Sequence, residues 1–581
     1  MRRRARASAA AEARSQPLRA RHVEPAWVRA SLRNPLLCLL LLALGACSSQ
    51  VHVSATANVP AQYSHVWITV AALWFNTTAG AGPEDSGWKK FALSTPQTLD
   101  LTALNGGTLT ALAGALHVPA GSYQELRLLL VDPSAPLVPA AQSAGALTND
   151  EVDYVDSSGL PQRVPLQIPV AAEGIGVSLS FTVQAASNTI PSGSAGLAAI
   201  TGSSSASNTS VALSFDAARD LVPVSLSGVQ AYLLNPHLTG TNLSSVGTIQ
   251  GSVDVSGVTP DATGAIDVTV SAEQASADGS RFEIVASAPV QSGGAFVLYP
   301  LPSSTSTYDL VFHGPGVQSV IVQDVPVSSG APASASAVQL QNVALATASS
   351  FTVNVDPASP LPAGGMALGF YQSLPSGGAP YLIDRVNVDT FSGLLDQDHA
   401  LPAADIAYGT YAGGSVSLAV NAPVEGAHTY AVATTASSYA DGVLGSGGTL
   451  VSAPASGTGP QLLSVTAAAV QSGASVDSIS GTLSVATPAR YDRGELVLTH
   501  DGTVIAAAPL DADLAGNQFS GTLAASVPGG GASGSFAPGL YYAEVWLWNS
   551  TDPLGTFTRE PATAAIDLRT GSVSGVALTV Q

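Results

Sequence analysis

From residue 60 onward, apolar and polar positions alternate in short runs that Gly, Pro, Asn and Ser close off. This period of two is the signature of half-buried β-strands. Val66, Ile68 and Val70 fall on one face of a candidate strand, and Leu126, Leu128 and Leu130 share a face with Arg127 opposite. Ile266, Val268 and Val270 alternate with Asp267 and Thr269, and Leu496 and Leu498 flank Val497. Near the C-terminus, Tyr541, Ala543, Val545 and Leu547 alternate with Tyr542, Glu544, Trp546 and Trp548. Helical periodicity is scarce: 100–116 is Leu-rich enough for a short helix, but Gly106, Gly107 and Gly114 limit it. Short strands, frequent turns and no crossover helices predict an all-β chain, a string of antiparallel β-sandwiches.

Ser- and Gly-rich stretches at 202–210, 328–337 and 452–460 read as loops and linkers. The 581 residues suggest three to five domains at roughly 100–200 residues each. The expected units are 61–245, 246–346, 347–456 and 457–581. A short echo links Pro119-Ala120-Gly121-Ser122-Tyr123 to Pro538-Gly539-Leu540-Tyr541, where a tight turn leads into a strand that Tyr begins.

The pattern differs in residues 1–46, which carry nine Arg, two Glu (Glu12 and Glu24) and an apolar run at 35–46. Positive residues ahead of a short apolar run read as a secretory signal. The run is too short to cross a bilayer as a helix, which needs about 20 residues. It ends in Leu44-Gly45-Ala46-Cys47, which resembles the lipobox of bacterial lipoproteins. That resemblance implies cleavage of a signal peptide, 1–46, and acylation of Cys47 with fatty acids such as palmitate. Residues 47–60 would then form a lipid-anchored tether, and Cys47 would hold the chain on the membrane. Ser48, where an Asp would mark inner-membrane retention, points to the outer membrane of the bacterial cell envelope. An ordinary secretory signal with an incidental Cys47 also fits these residues.

Composition narrows the function classes. Only 10% of residues are charged, against ~25% in typical soluble domains, while 46% are hydrophobic. The net charge of -20 repels phosphate backbones, so no nucleic-acid partner is expected. Without 1–46 the chain keeps 11 basic and 38 acidic residues, a net of -27, with Lys89 and Lys90 its only lysines. Cys38 leaves with the signal, so the remaining domains hold together by core burial without disulfides.

Five segments in order across 61–245 resemble a bacterial family known as domain-of-unknown-function family 4382. They are Val66-Trp67-Ile68-Thr69-Val70; Gly87-Trp88 with Phe91, Leu99-Asp100-Leu101 and Leu104; Leu116 with the Pro119–Tyr123 turn and Leu126-Arg127-Leu128; Val164-Pro165-Leu166-Gln167-Ile168-Pro169; and Leu213-Ser214-Phe215-Asp216-Ala217-Ala218-Arg219 with Tyr232-Leu233-Leu234-Asn235-Pro236. Val170-Ala171 stands where that pattern has Ser-Gly. The family implies no enzymatic activity and is typical of anchored envelope lipoproteins. Residues 246–346 resemble carboxypeptidase regulatory-like or transthyretin-like sandwiches, through Gly247–Val253, Gly294–Leu298 and Tyr308–Phe312. The last two units are read as Ig-like sandwiches by pattern alone.

Catalytic motifs are sparse. No Gly-x-Ser-x-Gly occurs, and a phosphate loop is impossible with Lys89 and Lys90 both following Trp88. The Rossmann-like glycines at 529–534 precede no helix pattern and read as a loop. The histidines are scattered, which disfavours a zinc site. Asp150, Glu151, Asp153 and Asp156, and more weakly Asp396, Asp398 and His399, read as solvated acidic loops that lack a calcium-loop pattern. Asp216 is expected to cap a turn, paired with Arg127. Trp67, Trp74 and Trp88 are expected in the core, as are Trp546 and Trp548, which could stack on sugars if exposed. The expectation is a non-enzymatic lipoprotein with no cofactor, binding a protein or glycan partner. The alternative is a carbohydrate- or solute-binding surface lipoprotein.

Overall fold

The computed structural model describes residues 50–184 and 208–580, except 358–365, 389–397, 421–428, 437–448, 453–460, 466–477, 523–539 and shorter stretches of up to four residues. Cys47 and the leader, the glycines at 529–534, Asp396 and most of the 202–210 and 452–460 stretches lie outside the described residues. The described chain is built of strands. Its α-helices are the three short segments Pro139–Ala144, Ala217–Asp220 and Pro553–Thr556.

Two sheets make the first sandwich. One runs in the order Thr239–Asn242, Thr209–Asp216, Gln50–Asn58, then Thr110–Ala111. The other centres on the 14-residue strand Tyr63–Asn76, flanked by Lys89–Asp100, Glu151–Val155 and Gly121–Leu130. The predicted apolar faces meet between the sheets: Val66, Ile68, Val70, Leu126 and Leu128 are buried with Val51, Val53 and Phe215. The stretch expected as a tether therefore supplies a central strand, because Val51, Val53, Ala55 and Ala57 alternate into this core. The helix expected in 100–116 is a single 3-10 turn, Leu101–Leu104, capped by the Asp100 side chain. Its glycines end it there.

Three further sandwiches follow. In each of the four, an early strand pairs in parallel with a late one. The pairs are Gln50–Asn58 with Thr209–Asp216, Val246–Gly257 with Val338–Ala346, Phe351–Pro357 with Gln461–Val465, and Ser478–Val485 with Val573–Val580. Most other pairings are antiparallel. The strand Ala403–Ala412 lies parallel to Gln318–Pro326 and extends the second sandwich's sheet. The strand predicted over 266–270 begins at Thr269, although Ile266 and Val268 are buried.

The last sandwich packs on the first. Val497, Val504, Trp546 and Trp548 bury against Val222, Val224, Leu226, Ala231 and Leu233 of the hairpin formed by Leu221–Leu226 and Val229–Leu234. Polar contacts fix the pairing. Thr499 Oγ1 donates to Glu173 Oε2 at 2.6 Å, and Trp548 Nε1 donates to Ser227 Oγ at 3.1 Å. Glu544 accepts from Trp546 Nε1 at 2.7 Å and pairs with Arg559 at 2.9 Å, while Arg559 also donates to the Ile168 carbonyl.

Candidate functional site

A polar cluster lies where the first three sandwiches meet. Its centre is the single helical turn Ala217–Asp220, which follows the strand Thr209–Asp216. Ala217 and Ala218 favour that turn, and its exposed-end carbonyls need partners. Asn387, on the strand Tyr381–Val388 of the third sandwich, supplies them: its Nδ2 donates to the carbonyls of Ala218 and Arg219 at 3.0 Å and of Leu221 at 3.2 Å. From the second sandwich, Ser287 reaches the same turn. Asn58 Nδ2 donates to Ser287 Oγ at 2.6 Å and to Asp216 Oδ1 at 3.1 Å. Asp220 is buried and accepts from the backbone N–H groups of Asp216 at 3.0 Å and His237 at 2.9 Å.

Burial pushes the Asp216 carboxyl up to about 6, and the Asp220 charge adds to this, while Arg219 and Arg385 oppose it. Burial lowers His237, which Asp220 at 3.6 Å counteracts, and it lowers His313 against a weaker pull from Asp384. Asp216, His313 and Asp384 border a cavity of about 740 Å³ whose wall includes Tyr63, Tyr154, Tyr232, Gln230, Arg219 and Arg385. A second cavity of about 300 Å³ shares Asn58, Asp216, Arg219, Ser287 and Arg385 and adds His237.

The sequence singled out Asp216 and Arg219 but paired the aspartate with Arg127. The structure corrects that. Arg127 lies elsewhere, fully buried, and donates to the carbonyls of Glu173 and Gly174 at 3.2 Å and of Ala81 at 3.0 Å. Of the scattered histidines, His313 ends the strand Thr307–His313 and borders the larger cavity, and His237 borders the smaller one. Arg385 and Asn387 carried no signal, since they come from a strand some 170 residues beyond the turn they serve.

The acidic stretch is not a solvated loop. Glu151 is buried, holds Arg163 and accepts from the N–H groups of Leu147 at 2.7 Å and Thr148 at 3.0 Å. Asp150 is buried and accepts from Thr69 N at 2.8 Å, and burial keeps its carboxyl well above the usual range. Asp153 rises to about 6 through burial and the neighbouring Glu151. Asp156 instead closes a turn through Leu160 N at 2.9 Å. Among the described residues, no group of three His, Cys, Asp or Glu converges as a metal site would require.

Trp546 and Trp548 are buried, as expected, and present no platform to a sugar. Trp67, Trp74 and Trp88 are half-buried rather than core. Trp67 stacks on His65, and Lys90 Nζ stands 3.6 Å over the Trp74 ring. No helix among the described residues is long and apolar enough to cross a membrane.

No curated protein and no solved structure matches the chain. Residues 48–236, most of the first sandwich, match the family model described as Domain of unknown function (DUF4382).

Proposed function

We propose that this chain is an envelope lipoprotein with a structural or interaction role, anchored through acyl chains on Cys47 and displayed at the outer membrane. The observation that carries the reading is the run Leu44-Gly45-Ala46-Cys47 directly ahead of a β-sandwich ectodomain of strongly acidic charge. Two or more acyl chains hold a protein stably on a bilayer, and an acidic surface keeps such an ectodomain off anionic headgroups. The charged groups of the described residues favour a non-catalytic role: Glu151, Glu173, Asp220 and Glu544 each hold backbone groups or a neighbouring side chain in place. The partner would be a protein or a glycan. The polar cavity around Asp216 also favours a second reading, a carbohydrate- or solute-binding surface lipoprotein.

Labelling cells with radioactive palmitate, followed by membrane fractionation, tests the anchor. The wild-type chain should take up label and sediment with the outer membrane, and Cys47→Ala should lose both. A labelled Cys47→Ala chain, or an unlabelled wild type that still sediments, overturns the reading.

A further inference from the structure

We propose that the cavity between the first three sandwiches binds a short neutral oligosaccharide. The inference deepens the solute-binding reading by naming the ligand's chemistry. Its volume, about 740 Å³, falls within the roughly 300–1,000 Å³ of small-molecule sites. Its wall is built from three separate sandwiches: Tyr63 and Tyr232 from the first, Ser287 and His313 from the second, Arg385 and Asn387 from the third.

The wall's chemistry selects against charged ligands. Asp156, Asp216, Asp267 and Asp384 face the cavity with Arg219 and Arg385, so carboxyl groups outnumber guanidinium groups and disfavour anions. A phosphate or polycarboxylate would meet the acids. A quaternary amine would need open aromatic faces, but Tyr63, Tyr154 and Tyr232 spend theirs on one another, edge to face at 5.7 and 5.3 Å, and are at most 8% exposed. What remains is a ring of amides, tyrosyl and seryl hydroxyls, and fixed charges. These groups can both donate to and accept from sugar hydroxyls.

One buried group at the wall still has hydrogen-bonding capacity. Asn387 is 6% exposed, and with its Nδ2 committed to three carbonyls, its Oδ1 accepts from no described residue. A buried polar atom left unmatched costs about 1–3 kcal/mol, so a ligand hydroxyl that reaches one recovers that cost.

Calorimetric titration tests this with the full-length protein, extracted in a detergent without a sugar headgroup. The probes are tri- to pentasaccharides of glucose, N-acetylglucosamine, mannose, galactose and xylose, with citrate and spermidine as charged controls. At least one neutral oligosaccharide should bind with a dissociation constant on the order of 1 mM or tighter. Gln230→Ala, at an exposed wall position, and Arg385→Ala should each weaken it by roughly fivefold to tenfold. Circular dichroism of the Gln230→Ala protein should match wild type, which keeps the test valid if Arg385→Ala fails to fold. Three results overturn the proposal: no oligosaccharide binds, binding is unchanged in Gln230→Ala, or citrate or spermidine binds more tightly than every sugar. The palmitate experiment reads Cys47 alone, so a failed titration leaves the anchor standing, and a failed anchor leaves the titration valid.

Discussion

Arg127 and Glu273 show two ways in which a buried ionisable group is accommodated. Arg127 faces away from Leu126 and Leu128 yet is fully buried, because the backbone at Glu173, Gly174 and Ala81 closes over its guanidinium and Trp88 lies 5.5 Å below it. Arg127→Met keeps the stem but strands those carbonyls. It should lower stability by about 2–4 kcal/mol in urea unfolding. Glu273, in the second sandwich, accepts from Ser271 Oγ at 3.0 Å and Leu382 N at 3.2 Å, and burial lifts its carboxyl to about 8. The folded state therefore holds a proton that the unfolded chain releases near 4.5. This contribution is complete below the unfolded value and is lost as pH rises through about 8, at up to about 1.4 kcal/mol per unit. Glu273→Gln should flatten that decline; parallel stability curves from pH 5 to 8 would refute the assignment. The sequence marked Arg127 as the polar member of an alternating strand. It could not reveal the burial, which comes from loops about 46 residues away on either side.

At the scale of elements, alternation made most strands readable, because a strand with one wet face must place its apolar residues at every second position. The strand Ile175–Val183 alternates buried and less buried positions throughout. Leu540–Trp548 exposes the limit of that logic. Tyr541, Ala543, Val545 and Leu547 fill the last sandwich's core as the pattern requires, yet Glu544, Trp546 and Trp548 on the other face are buried too. The parallel closing pairs were equally invisible, since residues 87 to 158 positions apart set them. In the second and fourth sandwiches they leave a sequence trace in hindsight: glycine on the first strand where it meets a carbonyl of the last. A Cβ at Gly251 would sit 2.7 Å from the Val338 carbonyl oxygen, one at Gly257 2.7 Å from that of Leu345, and one at Gly481 would overlap that of Val576. Gly481→Ala should force these strands apart and cost about 1–3 kcal/mol, read as a lower thermal midpoint.

For the whole molecule, the string of sandwiches expected from sequence is joined end to end: Thr499, Trp546, Trp548 and Arg559 bind residues of the first sandwich. The Asp216 turn adds a second joint, made by the first three sandwiches together. These groups were legible singly but not as a site, since no local pattern reports which distant strands share a wall. The wild-type protein should unfold in a coupled transition. Trp546→Ala removes about 3–5 kcal/mol of packing from the contact and should resolve a second calorimetric peak; one sharp peak in the variant would show that the contact does not couple the two ends. The same contact has a consequence for biogenesis. Ser227 and Trp548 are 321 residues apart, so the oily side of the Leu221–Leu234 hairpin stays wet while more than half of the polypeptide is still being synthesised. Such delayed pairing slows folding and leaves a nascent chain prone to clumping, which makes a holding chaperone a natural requirement until the final strands arrive.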